Sequence, residues 1–265
     1  MFQKLIETGM PKVKINGINL YYESSGEGYP LVFTHGFSAS HLMWKPQQPL
    51  TNNYRLIIYD ARGHGESDSP SSADQYSADI CVEDLYQLTK VFNIKKAVFG
   101  GLSMGGYLSL RFYLKYPELV SALIVMDTGP GYRNPTRMIE WNASQEEVAQ
   151  RLEKDGINVL AIQSQSGGRR EISLKQNPFG LAHMSRKVVA QHDSLVIENL
   201  DKIKVPTLVL VGEKDTAFLQ AADYMTNTIP GARKFIIPNA GHAANIDNPQ
   251  FFNKMILDFL HNIGL

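Results

Sequence analysis

Residues 99–106 read FGGLSMGG and place one serine, Ser103, among four glycines. An apolar run at 96–100 precedes this serine, and a helical pattern over 104–115 follows it. Residues 101–105 match the motif G-x-S-x-G, in which a serine occupies a tight strand-to-helix turn. Small residues two positions before and after the serine relieve the crowding of such a strained turn. The stretch therefore predicts an outward-facing, nucleophilic hydroxyl.

Two other interpretations of the same stretch are available. Glycine-rich strand-to-helix turns also bind phosphates, but no Gly-Lys-[Ser/Thr] is present, and Ser103 stands where G-x-G-x-x-G has its middle glycine. Ser103 could instead serve only as the N-cap of the following helix. Such a cap does not require glycines on both sides, so the pattern favours a nucleophile.

Short apolar runs bounded by turn residues recur along the chain and alternate with helical patterns. The first two runs, KVKI at 12–15 and INLYYES at 18–24, flank Asn16-Gly17, which favours a hairpin turn. Further runs rich in Val, Ile, Leu and Phe predict strands at 31–34, 55–59, 96–100, 122–127, 207–212 and 234–238. Helical spacing predicts helices at 76–92, 104–115, 217–228 and 249–262. The alternation indicates an α/β fold with an open, mostly parallel sheet behind an antiparallel opening hairpin.

The segment between Asp127 and Leu200 interrupts this alternation. It contains no strand pattern, and helical stretches are predicted at about 144–154, 157–164 and 180–198. We interpret the segment as an insertion that lies over the C-terminal edge of the sheet. Ligands bind at that edge in open α/β sheets.

A serine hydroxyl needs a base that removes its proton and an acid that orients the base. His242, in NAGHAAN, follows the last predicted strand, and Asp215, in GEKD, ends the strand before it. The order Ser103, Asp215, His242 matches the Ser-acid-His order of one known architecture. Asp127 and, less so, Glu213 remain rivals for the acid.

The same reaction needs donors for a developing oxyanion. The backbone N–H of Met104, directly after the serine, is one candidate, and that of Phe37, in THGFS, is the other. His35 and His64 lie in glycine turns, where we expect them to hold backbone. His183, in the inserted segment, is a candidate ligand contact.

These motifs together resemble the α/β-hydrolase fold family, with matches at HGF (35–37), YDARGHGESD (59–68), GLSMGG (101–106), GEKD (212–215) and GH (241–242). The resemblance implies a mainly parallel sheet of about eight strands flanked by helices. It implies a core domain of residues 1–128 and 201–265, with residues 129–200 forming a helical cap. It also implies Ser103 as nucleophile, His242 as base, Asp215 as its orienting acid, and the amides of Phe37 and Met104 as the oxyanion hole.

Within that family the chain is most similar to capped carboxylesterases and enol-lactone hydrolases, where a tryptophan after HGF, here Trp44, is frequent. The expected function is a serine hydrolase that cleaves small, partly apolar esters or lactones through an acyl-enzyme intermediate. The alternatives are a carbon–carbon bond hydrolase, another lyase or haloperoxidase, and a catalytically slow ligand receptor. Dehalogenases and epoxide hydrolases of this fold use aspartate where the chain has Ser103.

Large side chains of the cap and of the catalytic turns are candidates for the substrate pocket: Trp44, Met138, Trp141, Phe179 and Met184, together with Leu160 and Leu181. The alternative is a purely structural role, in which many of them only pack the cap onto the core. Four arginines could instead meet a substrate carboxylate, namely Arg133, Arg137, Arg169 and Arg170.

Composition limits the partners of the chain. Lys plus Arg and Asp plus Glu number 26 each among 265 residues, so the balance does not favour nucleic acid. The one cysteine, Cys81, suits a reducing compartment, and its surroundings predict a buried position. No secretory signal and no membrane-spanning run is evident, so we expect a soluble cytoplasmic protein. No cofactor or metal is expected, and the choice between monomer and homodimer stays open.

Overall fold

Eight strands form one mixed sheet in the described part of the chain, residues 11–160 and 176–265 of a computed structural model. The strands are β1 Lys12–Ile15, β2 Ile18–Ser25, β3 Tyr29–Thr34, β4 Tyr54–Tyr59, β5 Ala97–Leu102, β6 Val120–Met126, β7 Thr207–Gly212 and β8 Arg233–Ile237. Their order is β1-β2-β4-β3-β5-β6-β7-β8. β2 pairs antiparallel with β1 and β4, and every later pairing is parallel. The predicted hairpin and the mostly parallel sheet of about eight strands are confirmed.

The helices flank this sheet and match most of the predicted ones. Within the described residues they are α1 Ala78–Val91, α2 Met104–Lys115, α3 Pro135–Asp155, α4 Pro178–Met184, α5 Leu195–Glu198, α6 Thr216–Thr228, α7 Ala244–Asp247 and α8 Pro249–Asn262. A 3-10 helical segment, His41–Asn52, follows β3 and has no counterpart in the sequence prediction.

Two apolar layers cover the two faces of the sheet, because successive strand residues point to opposite faces. Val32 of β3 belongs to the cluster that includes Leu85 of α1 and Phe112 of α2. Its neighbour Phe33 belongs to the opposite cluster and packs against Trp44, with ring centroids 5.2 Å apart. Cys81 is buried in the first layer, as expected.

The segment between β6 and β7 is helical where it is described, and its helix bounds differ from the predicted ones. α3 begins at Pro135, well before the predicted start, because Asn134 accepts hydrogen bonds from the amides of Thr136 (2.9 Å) and Arg137 (3.3 Å). The predicted helix at 180–198 is interrupted, since a π-helical turn follows α4 and an irregular stretch precedes α5. Of the predicted 157–164 helix, residues 158–160 are helical and residues 161–164 lie outside the described residues.

The C-terminal ends of the parallel strands meet at one edge of the sheet, as parallel pairing requires. β5 ends at Leu102, directly before Ser103, and β7 ends at Gly212, three residues before Asp215. β8 ends at Ile237, and the loop that follows it carries His242. Within the described residues, no helix is both long and apolar enough to cross a bilayer.

Candidate active site

Ser103 adopts a backbone conformation that few non-glycine residues take. Its φ is +56° and its ψ is −116°, and its amide donates a 2.8 Å hydrogen bond to the carbonyl of Met126. Such strain is typical of functional sites. Ser103 stands at the N-cap position of α2, yet its side chain makes no capping hydrogen bond. The N-cap interpretation is therefore wrong, and the hydroxyl is left for other partners.

The neighbouring glycines are required by close packing. A β-carbon at Gly101 would lie 2.5 Å from both the carbonyl carbon of Gly105 and the carbonyl oxygen of Thr34. A β-carbon at Gly105 would overlap that same Thr34 oxygen, and one at Gly106 would lie 2.6 Å from Cγ2 of Thr128. The turn that carries Ser103 is thus packed backbone to backbone against the end of β3.

His242 and Asp215 form a direct pair. Nδ1 of His242 donates to Oδ2 of Asp215 over 2.8 Å, and the Asp215 side chain is buried. This bond assigns the proton to Nδ1 and leaves Nε2 as an acceptor. The imidazole stacks on Phe218, with ring centroids 4.9 Å apart and planes 26° apart. Two contacts therefore fix the orientation of the ring.

The rival acids occupy other positions. Asp127 is buried and accepts hydrogen bonds from the amides of Gly212 (2.7 Å) and Ala244 (3.1 Å). Burial and the nearby Asp215 carboxylate raise the pKa of Asp127 well above its ordinary value. Glu213 is exposed and accepts from the amide of Asn239. Among these carboxylates, Asp215 alone contacts the His242 imidazole.

Ser103 and His242 line the same cavity, together with Asp215. Within the described residues no direct hydrogen bond joins the Ser103 hydroxyl to the imidazole. Catalytic hydrogen bonds are often long without substrate and tighten when it binds. The arrangement is therefore compatible with proton transfer between the two side chains.

The two predicted oxyanion donors are the amides of Phe37, which lines a cavity with Ser103, and of Met104, which follows Ser103 in the chain. Gly36 packs closely there, since a β-carbon added to it would lie 3.6 Å from Cβ of Ser103. The amide of Phe37 follows directly, and the amide of Met104 opens α2. In the described part of the chain, neither amide has a hydrogen-bond acceptor. Both are available to a ligand oxygen, and the positive end of α2 favours negative charge there.

Two buried histidines hold the loop that carries Phe37, as predicted. Nε2 of His35 accepts from the amide of Ala61 (3.0 Å), and Nε2 of His64 accepts from the amide of Ser38 (3.1 Å). Burial lowers the pKa of His35, and it lowers the pKa of His64 to about 3. Both rings are neutral at pH 7, which their role as acceptors requires.

Two cavities meet at Ser103. The first, of about 360 Å³, is called the tyrosine lobe because Tyr107, Tyr132 and Tyr224 line it. The second, of about 370 Å³, is called the histidine lobe because it contains His242. Besides Ser103, four residues line both lobes, namely Trp141, Val189, Ala217 and Phe218.

Of the predicted pocket residues, only Trp141 is found among the described residues that line either lobe. Trp44 and Met184 are fully buried in the core layers. Phe179 points to solvent with 57% of its surface exposed, and Met138 is half-buried on α3 away from the lining. None of these four residues is among the described residues that line the two lobes. Leu160 and Leu181 pack within the cluster of the inserted helices, which agrees with a purely structural role for these two side chains.

Met43 lines the histidine lobe in place of its neighbour Trp44, and Phe218, Tyr224 and Tyr132 line the tyrosine lobe. Phe218 and Tyr224 lie on α6, where helical spacing signals burial but not a ligand cavity. The sequence carried one usable signal for Phe218, since it stands only three positions after Asp215.

The arginines and the histidine of the inserted segment that were candidates for ligand contacts lie in different places. Arg133 lines the tyrosine lobe, with its guanidinium 5.8 Å from the Tyr224 ring centroid. Arg137 is exposed and lies 3.6 Å from Glu140. His183 packs against Tyr76, with ring centroids 5.1 Å apart and planes tilted by 41°, outside the lining of both lobes. Arg169 and Arg170 lie outside the described residues.

No group of three or more His, Cys, Asp or Glu side chains is arranged to hold a metal ion within residues 11–160 and 176–265.

The fold agrees with what sequence comparison finds. A sequence model of the α/β hydrolase fold matches residues 29–183. The chain therefore belongs to the α/β-hydrolase fold family, as its motifs predicted.

Individual relatives span nearly the whole chain. A thermophilic esterase from Thermogutta terrifontis, solved with malate bound, superposes with a TM-score of 0.86 at 29% identity, covering 96% of this chain and 100% of that one. A putative 2-succinyl-6-hydroxy-2,4-cyclohexadiene-1-carboxylate synthase from Bacillus subtilis is 29% identical over 88% of this chain and 90% of its own. 3-Oxoadipate enol-lactonase 1 from Acinetobacter baylyi is 28% identical over 88% and 89%. The predicted resemblance to esterases and enol-lactone hydrolases is confirmed.

Proposed function

We propose that this protein is a serine hydrolase that cleaves carboxylic esters or lactones of small, partly apolar substrates. The observation that carries the proposal is the 2.8 Å bond between His242 and Asp215 in the cavity that also contains the strained Ser103 turn. Similarity to an esterase and to an enol-lactonase supports the same reaction class.

In the first step the Ser103 hydroxyl attacks the substrate carbonyl while Nε2 of His242 takes its proton. Asp215 accepts from Nδ1, so it keeps the required tautomer and stabilises the imidazolium that forms. Stacking on Phe218 limits rotation of the ring. Ser103 is therefore activated both by the fixed position of the His242 ring and by the basicity of its Nε2.

The negative charge that develops on the carbonyl oxygen is assigned to the amides of Phe37 and Met104. Both lack an acceptor among the described residues, and removing one such donor typically costs about 10²–10³ in rate. His242 then returns its proton to the leaving oxygen, and the acyl group stays on Ser103. A water molecule activated by the same imidazole releases the acid.

We assign residues 129–200 as a cap and residues 1–128 and 201–265 as the core. The support is that α3 supplies Trp141, Gln145 and Val148 to the cavity of Ser103 and His242. Covering the site with apolar side chains excludes bulk water and strengthens electrostatic interactions inside it.

The test is steady-state hydrolysis of p-nitrophenyl butyrate by wild type and Ser103→Ala. We expect a loss of at least 10³-fold in kcat. Ser144→Ala, which removes an exposed hydroxyl of α3, is the matched control and should retain turnover. Equal turnover in wild type and Ser103→Ala would reject the assignment.

A second candidate is a lyase that uses Ser103 and His242 as a base, which the similarity to the putative Bacillus subtilis synthase favours. A lyase would react with a fluorophosphonate at Ser103 but show negligible steady-state turnover of simple esters. Mass spectrometry of the labelled protein beside the ester assay separates the two functions.

A further inference from the structure

The two lobes that meet at Ser103 differ in their chemistry. The histidine lobe contains the imidazole of His242 and the carboxylate of Asp215. The tyrosine lobe contains neither, and Arg133 is the charged side chain among its described lining residues. Most of its remaining lining is aromatic or aliphatic. An ester bound at Ser103 would have one part in each lobe, and the position of His242 decides which part goes where.

Proton transfer sets the direction. When the tetrahedral intermediate collapses, the bond between the carbonyl carbon and the leaving oxygen breaks, and its electron pair stays on that oxygen. The same oxygen takes the proton that His242 removed from Ser103, so it must lie within about 3 Å of Nε2. The leaving alcohol therefore extends on the side of His242, and the acyl chain has the opposite side of the carbonyl.

The oxyanion donors are compatible with this direction. The amide of Phe37 belongs to a residue of the histidine lobe, and that of Met104 belongs to a residue of the tyrosine lobe. An oxygen held by both amides lies between the lobes, so the two substituents of the carbonyl carbon diverge into them.

We propose, on the basis of the function proposed above, that the tyrosine lobe binds the acyl group and the histidine lobe binds the alcohol. The acyl groups that fit are neutral and apolar, with linear or aromatic chains of on the order of ten non-hydrogen atoms, as the lobe volume of about 360 Å³ indicates. Each methylene that the lobe buries raises kcat/KM about fourfold until the lobe is full.

The test compares two isomeric esters: ethyl hexanoate carries a pentyl group on the carbonyl carbon, and hexyl acetate carries a hexyl group on the ester oxygen. Ala221 lines the tyrosine lobe alone and Val148 lines the histidine lobe alone, so Ala221→Phe and Val148→Phe each fill one lobe. Ala221→Phe should lower the ratio of kcat/KM for ethyl hexanoate to that for hexyl acetate at least tenfold. Val148→Phe should raise the same ratio. If both variants shift the ratio in the same direction, or if each shifts it opposite to the expected direction, the assignment of the lobes is overturned.

A second measurement keeps the assignment testable without turnover. A methoxy fluorophosphonate with a pentyl group on phosphorus mimics a hexanoyl ester, with its methoxy group in place of the alcohol. Its fluoride leaves in line with the attacking Ser103 oxygen. Labelling of Ser103 should slow at least tenfold in Ala221→Phe and less than threefold in Val148→Phe. Equal slowing would reject the lobes, whereas normal labelling without ester turnover would reject only the proposed function.

Discussion

The carboxylate of Asp127 holds the amide of Gly212 at 2.7 Å, and this contact fixes the end of β7 just before Asp215. The other oxygen of Asp127 accepts from the amide of Ala244, two residues after His242. One buried side chain therefore ties together the two loops that carry Asp215 and His242, the proposed acid and base. Asp215, and not Asp127, contacts the His242 imidazole. Asp127 instead positions the two loops on which Asp215 and His242 lie.

Substitution of Asp127 should reveal that role. Asp127→Ala leaves two buried amides without acceptors, each costing about 1–3 kcal/mol in the free energy of unfolding. Asp127→Asn keeps an oxygen for Gly212 and loses only the bond to Ala244. We expect urea unfolding to rank stability as wild type, then Asn, then Ala, with kcat in the same order and KM little changed. Equal loss in both variants would contradict this role.

Asp215→Asn should remove the acceptor that orients His242. The amide favours the wrong imidazole tautomer, so kcat should fall about 10³–10⁴-fold while the fold is kept. Glu213→Gln, two residues away on the exposed side of the loop, is the matched control and should turn over p-nitrophenyl butyrate at the wild-type rate. If the control loses activity and Asp215→Asn retains it, Asp215 is not the acid.

Gly105→Ala tests whether close packing of the Ser103 turn controls catalysis. The added carbon would overlap the Thr34 carbonyl, which leads into the loop of Phe37, so we expect about 1–3 kcal/mol of destabilisation and about 100-fold lower kcat. Gly156→Ala also costs about 1–3 kcal/mol, because Gly156 has φ +71° in an open position after α3. Only the first variant should lose kcat. If the two variants are equally destabilised and have equal kcat, the close packing of the Ser103 turn does not control catalysis.

His64 makes stability depend on pH. The pKa of the His64 imidazole is lowered from 6.5 to about 3 in the folded chain. As the pH falls below 6.5, the unfolded chain therefore binds a proton at His64, whereas the folded chain does not. The free energy of unfolding should therefore decrease with falling pH, by up to about 1.4 kcal/mol per unit from this one group.

His64→Gln removes that titration and keeps an acceptor for the amide of Ser38. Urea unfolding at pH 7.5 and pH 5.5 should show a smaller loss in His64→Gln than in wild type. His261→Gln, which removes an exposed imidazole on α8, is the control. A loss in His64→Gln as large as in wild type would show that the buried ring does not cause the dependence.

Strands and catalytic motifs were the predictable part of this protein. A strand covered on both faces must be nearly all apolar, so β3 and β7 could be located from composition alone. The turn around Ser103 needs residues without side chains on both sides, and that need is visible as four glycines.

The inserted helices were harder to predict, because the capping signals at their starts were not used. Asn134-Pro135, Asn177-Pro178 and Asn248-Pro249 each begin a helix, with asparagine as the cap and proline at the first helical position. For the first two of these, the sequence prediction placed the helix starts later, at about 144 and 180.

Of the large side chains predicted for the pocket, only Trp141 is among the described lining, because composition does not show which way a side chain points. Met43 and Trp44 are adjacent in one 3-10 helical segment, where successive residues point about 120° apart. Met43 reaches the lobe near Gly36, whereas Trp44 packs on Phe33 in the core.

The indole of Trp141, which donates through Nε1 to the carbonyl of Val189 over 2.8 Å, lines both lobes. On the proposed assignment of the lobes, an open-chain ester places one arm in each lobe and gains contacts from both. A monocyclic lactone carries both arms in one ring, so it cannot extend into the two lobes separately. Changes at this one indole should therefore shift the relative rates of ring-opening and chain-cleaving hydrolysis.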